Sequence, residues 1–205
     1  MKRRKIGIMG GTFNPIHNGH IALAQAAYDF CCLDEVWFMP SGVSYLKIHD
    51  NVVSGVHRLA MTELAIDGCS YFKCSDMEVF RKGNTYTADT LRLLHDMYPA
   101  DDFYFIMGAD SLFGLPGWKE PEVIAGLCTL VAVSRDDMDV QQLQSQKNLL
   151  EHTLDARVIL VPFNKIDISS SVIREKLQKG ESVESMVPIK VLEYIGQHDL
   201  YKETL

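Results

Sequence analysis

Gly10-Gly11-Thr12-Phe13-Asn14-Pro15-Ile16-His17-Asn18-Gly19-His20 is the stretch on which the reading of this chain turns. It follows a short apolar run, Ile6 to Met9, and precedes apolar residues recurring at helical spacing from Ile21 to Phe30, so it is a strand-to-helix loop. Adjacent glycines let a backbone come close to an anion, Thr12 adds a hydroxyl, and Pro15 stiffens the loop. His17 and His20 stand three apart at the helix start, where main-chain N–H groups and the helix dipole favour phosphate. Two imidazoles there can donate hydrogen bonds to a phosphoryl group. Zinc is the other chemistry that paired histidines serve, but no third ligand stands out. The glycine spacing fits neither the P-loop nor the dinucleotide fingerprint, which removes most of the support for a nicotinamide-dependent dehydrogenase.

Working outward, Val36 to Met39, Phe103 to Met107, Leu127 to Val133 and Val158 to Val161 have the length and content of buried strands. His57 to Ile66 and Thr87 to Met97 have helical periodicity. That alternation predicts an α/β fold, a parallel sheet with helices on both faces. Ligands in such sheets sit beyond the carboxyl ends of the strands, so the loops after Met9, Met39, Met107 and Val161 are the places to seek chemistry. The polar, Gln-rich stretch from Asp136 to His152 reads as a peripheral helix or insertion, and Ile189, Leu192, Tyr194 and Ile195 predict a final amphipathic helix. The expected organisation is a single domain over residues 1–205 with a small C-terminal helical part from about residue 169.

Composition narrows the class. The apolar share of 47% and charged share of 23% are those of a folded globular protein. A net charge of -7 argues against a general nucleic-acid coat, which needs a surplus of Lys and Arg. The basic start, Lys2 to Lys5, lacks the apolar region that a signal peptide requires, and no segment is long and apolar enough to span a bilayer. Cys31, Cys32, Cys69, Cys74 and Cys128 contain no Cys-x-x-Cys pair, and buried free thiols in a cytoplasmic protein are expected.

A second motif, Ile168-Ser169-Ser170-Ser171-Val172-Ile173-Arg174, begins a helix with a hydroxyl-rich first turn. The serines can cap that helix, and Arg174 on the same turn can grip phosphates. With the first loop, it resembles the nucleotidylyltransferase superfamily, whose Gly-x-Phe-x-Pro-x-His-x-Gly-His loop and Ile-Ser-Ser-Thr-x-Ile-Arg element lie on a Rossmann-like sheet. Ser171 stands at the threonine position and keeps the hydroxyl.

Within that superfamily, Gly83 to Leu91, Phe105 to Leu112, Trp118, and Val187-Pro188 through Leu200-Tyr201 resemble the bacterial nicotinate-nucleotide adenylyltransferases. The resemblance implies joining of ATP to nicotinic acid mononucleotide. For that reaction Mg2+ is expected on the ATP phosphates, since magnesium in such sites is held largely by substrate oxygens and water, and no protein ligand for it stands out. The resemblance implies catalytic roles for His17, His20 and Arg174, and ATP contacts from Gly10, Gly11, Thr12, Phe13, Gly108, Asp110, Ser170 and Ser171 besides. It implies that Thr85, Tyr86 and nearby amides hold the nicotinate carboxylate while Trp118 stacks on the pyridine ring. Lys47 keeps a cation to meet phosphate, Asp110, following a strand and Gly108, can reach a ribose or the substrate or serve only as a helix cap, and Arg135, just after the fifth strand, meets a substrate charge or stands as a surface ion. One departure is plain: where the family has two prolines and a histidine before a cation, this chain reads Ser44-Tyr45-Leu46-Lys47, keeping the cation without the proline frame. Nicotinamide mononucleotide and phosphopantetheine are the rival acceptors, and a silent nucleotide sensor the rival from another class. Neither nucleic acid nor membrane is an expected partner, and self-association is left open.

Overall fold

The computed structural model describes residues 3–42, 52–135, 139–164 and 166–202. In chain order the elements are β1 (Lys5–Gly11), α1 (Asn18–Cys31), β2 (Glu35–Pro40), α2 (Gly55–Ile66), β3 (Phe72–Cys74), α3 (Thr87–Met97), β4 (Asp102–Gly108), α4 (Ala109–Gly114), a 3-10 turn (Leu115–Gly117), α5 (Pro121–Leu127), β5 (Thr129–Arg135), α6 (Val140–Leu154), β6 (Arg157–Phe163), α7 (Ser170–Gln178) and α8 (Ile189–Gln197). The strands form one six-stranded sheet in the order β3-β2-β1-β4-β5-β6, a doubly wound, Rossmann-like α/β arrangement. β1 runs parallel to β4 with Lys5 opposite Asp102, β4 to β5 with Tyr104 opposite Thr129, and β5 to β6 with Thr129 opposite Arg157.

The chain divides into two compact units. The first comprises Met1–Gly10, Leu23–Trp37 and Thr85–Lys165. Its strands are buried as continuous apolar runs, Phe105 to Met107 in β4 and Leu130 to Val133 in β5, as expected for strands covered on both faces. Ala88, Leu91 and Leu94 of α3 make a helical stripe in the same core, with Asp89 in the first turn, where the helix dipole favours an acid. The second unit comprises Gly11–Ala22, Phe38–Asn84 and Ile166–Leu205. Its centre holds Phe13, Ile16, Phe38 and Met61, and the Phe38 ring lies 5.2 Å from Phe72 and 6.0 Å from Phe13.

Several expected bounds shift. Leu127 closes α5 rather than opening β5, because Cys128, at the helix end, still bonds back to Ile124. β3 has three residues, too few for an alternating pattern to show. Ile189, expected on the inner face of the last helix, is 63% exposed, and Val191 and Ile195 fill that role. The Gln-rich stretch is largely helix, α6, capped by Asp139. All five cysteines are free, yet only Cys31 and Cys128 are buried; Cys69 and Cys74 are half-buried and Cys32 is exposed. Burial pushes the thiols of Cys74 and Cys128 up to about 12, so they stay protonated and unreactive at neutral pH. Among the described residues no helix is long and apolar enough to cross a membrane.

Candidate active site

In the second unit, the loop between β1 and α1 is held in an unusual conformation. Phe13 has φ 47, a left-handed backbone that a bulky residue adopts at a cost. Burial holds it there: its ring is 2% exposed and meets His20 edge-on at 5.1 Å. The Phe13 ring is therefore part of the core. Gly11 follows from the same packing, because a Cβ there would lie 2.8 Å from the Phe13 ring. The Asn14–Pro15 peptide is cis.

His17 precedes α1 and His20 lies in its first turn, and the two rings stack with centroids 3.6 Å apart. The His17 main-chain N–H donates to Nδ1 of His20 at 3.3 Å, which leaves the ring proton of a neutral His20 on Nε2. His17 is 6% exposed, and its Nδ1 is buried without a hydrogen-bond partner. Burial pushes its imidazole down to about 4, so it is neutral at pH 7. Gly19 makes room for it: a Cβ at residue 19 would sit 3.0 Å from His17 Nδ1.

The second motif meets the first within this unit. Ser169 is the N-cap of α7, its hydroxyl accepting from the Val172 N–H, while Ser170 Oγ donates to the Pro15 carbonyl at 2.9 Å. Ser171 is exposed. Arg174 falls in the second turn of α7, not the first as its place in the motif suggests, since the helix starts at Ser170. From there Nη1 reaches the Asn14 carbonyl at 2.9 Å, so part of its guanidinium braces the loop. α1 is also tied at its start, Asn18 donating through its N–H to Met186 O and through Nδ2 to Ser185 O. Lys47 and the rest of Ser44-Tyr45-Leu46-Lys47 lie outside the described residues.

In the first unit, Gly10 ends the Met1–Gly10 segment and is exposed. Gly108 is the N-cap of α4, and Asp110 stands exposed in that helix's first turn, so it is not the cap. Thr85 is half-buried and Tyr86 is the N-cap of α3. Trp118 is half-buried just after the 3-10 turn, its ring edge-on to Phe105 at 6.1 Å. Lys119, to which the sequence reading gives no role, places Nζ 4.3 Å from the centre of the Tyr86 ring and bonds Asp89 at 3.1 Å. Arg135 ends β5, and its side chain lies outside the described residues. Arg58, Asn14 and Tyr201, all buried around the 12–15 loop, were also missed.

A Rossmann-like sheet bearing a His-x-x-His loop bonded to a serine-capped helix is the framework of a nucleotidyltransferase, and the cytidylyltransferase-like family model matches residues 8–176. The chain is similar to the probable nicotinate-nucleotide adenylyltransferase of Lachnoclostridium phytofermentans, 42% identical over 97% of this chain and 99% of that one. It is similar to that of Dehalococcoides mccartyi, 42% identical over 96% of this chain and 97% of the other. Among solved structures, the nicotinic acid mononucleotide adenylyltransferase of Plasmodium falciparum complexed with NaAD shares the fold, with a TM-score of 0.80, 21% identity, and coverage of 97% of this chain and 98% of that one. The chain belongs to the nicotinate-nucleotide adenylyltransferases, within the cytidylyltransferase-like family.

Proposed function

We propose that this chain transfers the adenylyl group of ATP to nicotinic acid mononucleotide, giving deamido-NAD and pyrophosphate, and that its 205 residues work as a single nucleotidylyltransferase domain with a C-terminal helical extension from about residue 169. One observation carries the reading: the two motifs are bonded to one another, Ser170 to Pro15 across 155 positions and Arg174 to Asn14 across 160, beside a buried imidazole whose Nδ1 has no protein partner.

The mononucleotide's phosphate oxygen attacks the α-phosphorus of ATP, a new O–P bond forms, and the bond to the bridging oxygen of pyrophosphate breaks. The attacking oxygen is already an anion, so no side-chain nucleophile or general base is needed, and catalysis rests on positioning and on stabilising charge at the α-phosphate. His20 donates through Nε2 and His17 through one ring nitrogen. Being neutral, His17 supplies a hydrogen bond rather than a full charge. The guanidinium nitrogens of Arg174 not spent on Asn14, with Ser170, Ser171 and the main chain of Gly10 to Phe13, hold the ATP phosphates, while Gly108 and Asp110 meet the nucleoside. Lys47 and Arg135 meet the mononucleotide, Thr85 and Tyr86 its carboxylate, and Trp118 its cationic ring, as an indole face suits.

Mg2+ belongs to this reading. Among the described residues no group of three or more His, Cys, Asp or Glu side chains could hold a metal ion, and the loop and α7 offer hydrogen-bond donors instead. That set fits an ion carried by phosphate oxygens and water, and no protein ligand is assigned to it. When bound, it offsets charge on the ATP phosphates. The enzyme acts in the cytoplasm. The test of this function is pyrophosphate release from ATP and Mg2+ with nicotinic acid mononucleotide, nicotinamide mononucleotide and phosphopantetheine side by side. Strong preference for the acid supports it, release only with another acceptor overturns the substrate, and silence with all three favours a sensor.

A further inference from the structure

The 12–15 loop is held by two side chains far from it in sequence. Tyr201, 9% exposed, donates its hydroxyl to Asn14 Oδ1 at 2.8 Å, and the Val53 N–H donates to the same oxygen at 3.2 Å. Tyr201 has φ 64, a left-handed backbone that costs a bulky residue and persists where the surroundings over-determine it. Arg58, 3% exposed on the inner face of α2, spends its guanidinium on carbonyls alone: Thr12 at 2.8 Å, Val53 at 3.2 Å and Gly42 at 3.5 Å. A buried cation bonded only to main-chain oxygens, with no carboxylate partner among the described residues, contributes little as an ion pair and much as a fixed clamp.

We propose that Tyr201 and Arg58 are positioning residues for adenylyl transfer, acting through the main chain and the Asn14 side chain of residues 12–15. Arg58 fixes the Thr12 carbonyl and Tyr201 fixes Asn14, whose own carbonyl receives Arg174. The chain's last described turn thus sets where the His17 and His20 donors stand. Such donors serve the transition state, so displacing them by a few tenths of an ångström lowers turnover more than it weakens binding of ATP. This rests on the reading of the site as an adenylyltransferase.

The test is Tyr201→Phe, which removes one oxygen, beside Arg58→Lys and a matched control, Tyr194→Phe. The Tyr194 hydroxyl bonds His57 Nδ1 at 3.0 Å in α2 and does not touch the loop. The expected result is a kcat about 5- to 10-fold lower in Tyr201→Phe and lower still in Arg58→Lys, with KM for ATP within about twofold and Tyr194→Phe turning over like the wild type. Unchanged kcat in Tyr201→Phe, a loss confined to KM, or an equal loss in Tyr194→Phe overturns the proposal. Amide hydrogen exchange separates this from the substrate assignment. If the wild type itself is silent with nicotinic acid mononucleotide, that assignment falls, while faster exchange at residues 12–20 and 53 in Tyr201→Phe, but not in Tyr194→Phe, still supports the clamp. Unchanged exchange there refutes it.

Discussion

Acid should weaken this fold through His17. The perturbation is a fall in pH from 7.5 to about 4, compared between the wild type and His17→Phe, which keeps a ring against His20 but cannot titrate. Burial lowers the His17 imidazole from an ordinary 6.5 to about 4, so between those values the unfolded chain binds a proton that the folded chain does not. Stability therefore rises with pH across that window. The loss begins as pH drops through 6.5 and is complete below about 4. At 1.36 kcal/mol per tenfold change in proton affinity, the difference amounts to about 3 kcal/mol, a large share of the 5–15 kcal/mol typical of a domain. The assay is urea unfolding at half-unit pH intervals, with the wild-type and His17→Phe curves subtracted so that carboxylates and other histidines cancel. The wild type should lose about 3 kcal/mol relative to His17→Phe on going from pH 7.5 to 4. A difference that stays flat with pH, or grows in the wild type's favour as pH falls, would refute the burial argument.

His20→Ala, in a folded protein, is expected to lower kcat by about 10²-fold or more, measured as pyrophosphate release, and near-normal turnover would remove His20 from the mechanism. Gly19→Ala forces a Cβ to 3.0 Å from His17 Nδ1, and steady-state kinetics should show kcat down about 10-fold with a melting temperature lowered by a few degrees. Ser169→Ala removes the α7 cap and costs about 1 kcal/mol in urea unfolding, while Ser170→Ala, which frees the Pro15 carbonyl, should show its larger effect in kcat. Trp118→Ala is expected to raise KM for nicotinic acid mononucleotide by about 10-fold with KM for ATP unchanged, as substrate titrations would show.

The loop of residues 10–20 was legible because its signals are local: paired glycines, a proline and two histidines at one spacing, placed by a strand before and a helix after. α3 was read to its bounds, Thr87 to Met97, because its buried stripe recurs at 3.6-residue spacing. The braces were not read, though one had a signal. Arg58 shares a helical face with Met61, Thr62 and Ile66, and a lone charge on an apolar face predicts a buried, fully bonded arginine. Asn14 stands in the first motif and Tyr201 in the last stretch of the family resemblance, but neither pointed to the other, since a bond between residues 187 positions apart exists only in the folded chain. Arg174 shows how spacing alone misleads. Its residue number suits the first turn, but the cap at Ser169 decides where the helix starts and puts its bond to the Asn14 carbonyl in place of a wholly free guanidinium. Short elements such as β3 and α4 leave too few residues for any period to show.

Adenylyl transfer here is one direct displacement at the α-phosphorus, carried out by positioned donors without a covalent intermediate. The most direct measurement uses ATP made chiral at a sulfur-substituted α-phosphorus, with nicotinic acid mononucleotide as acceptor, and reads the configuration of the dinucleotide product. A single in-line attack inverts that centre. Inversion, with the labelled phosphorus found in deamido-NAD and none in pyrophosphate, is the predicted result, whereas retention would mean two displacements through a protein nucleophile and would contradict the account.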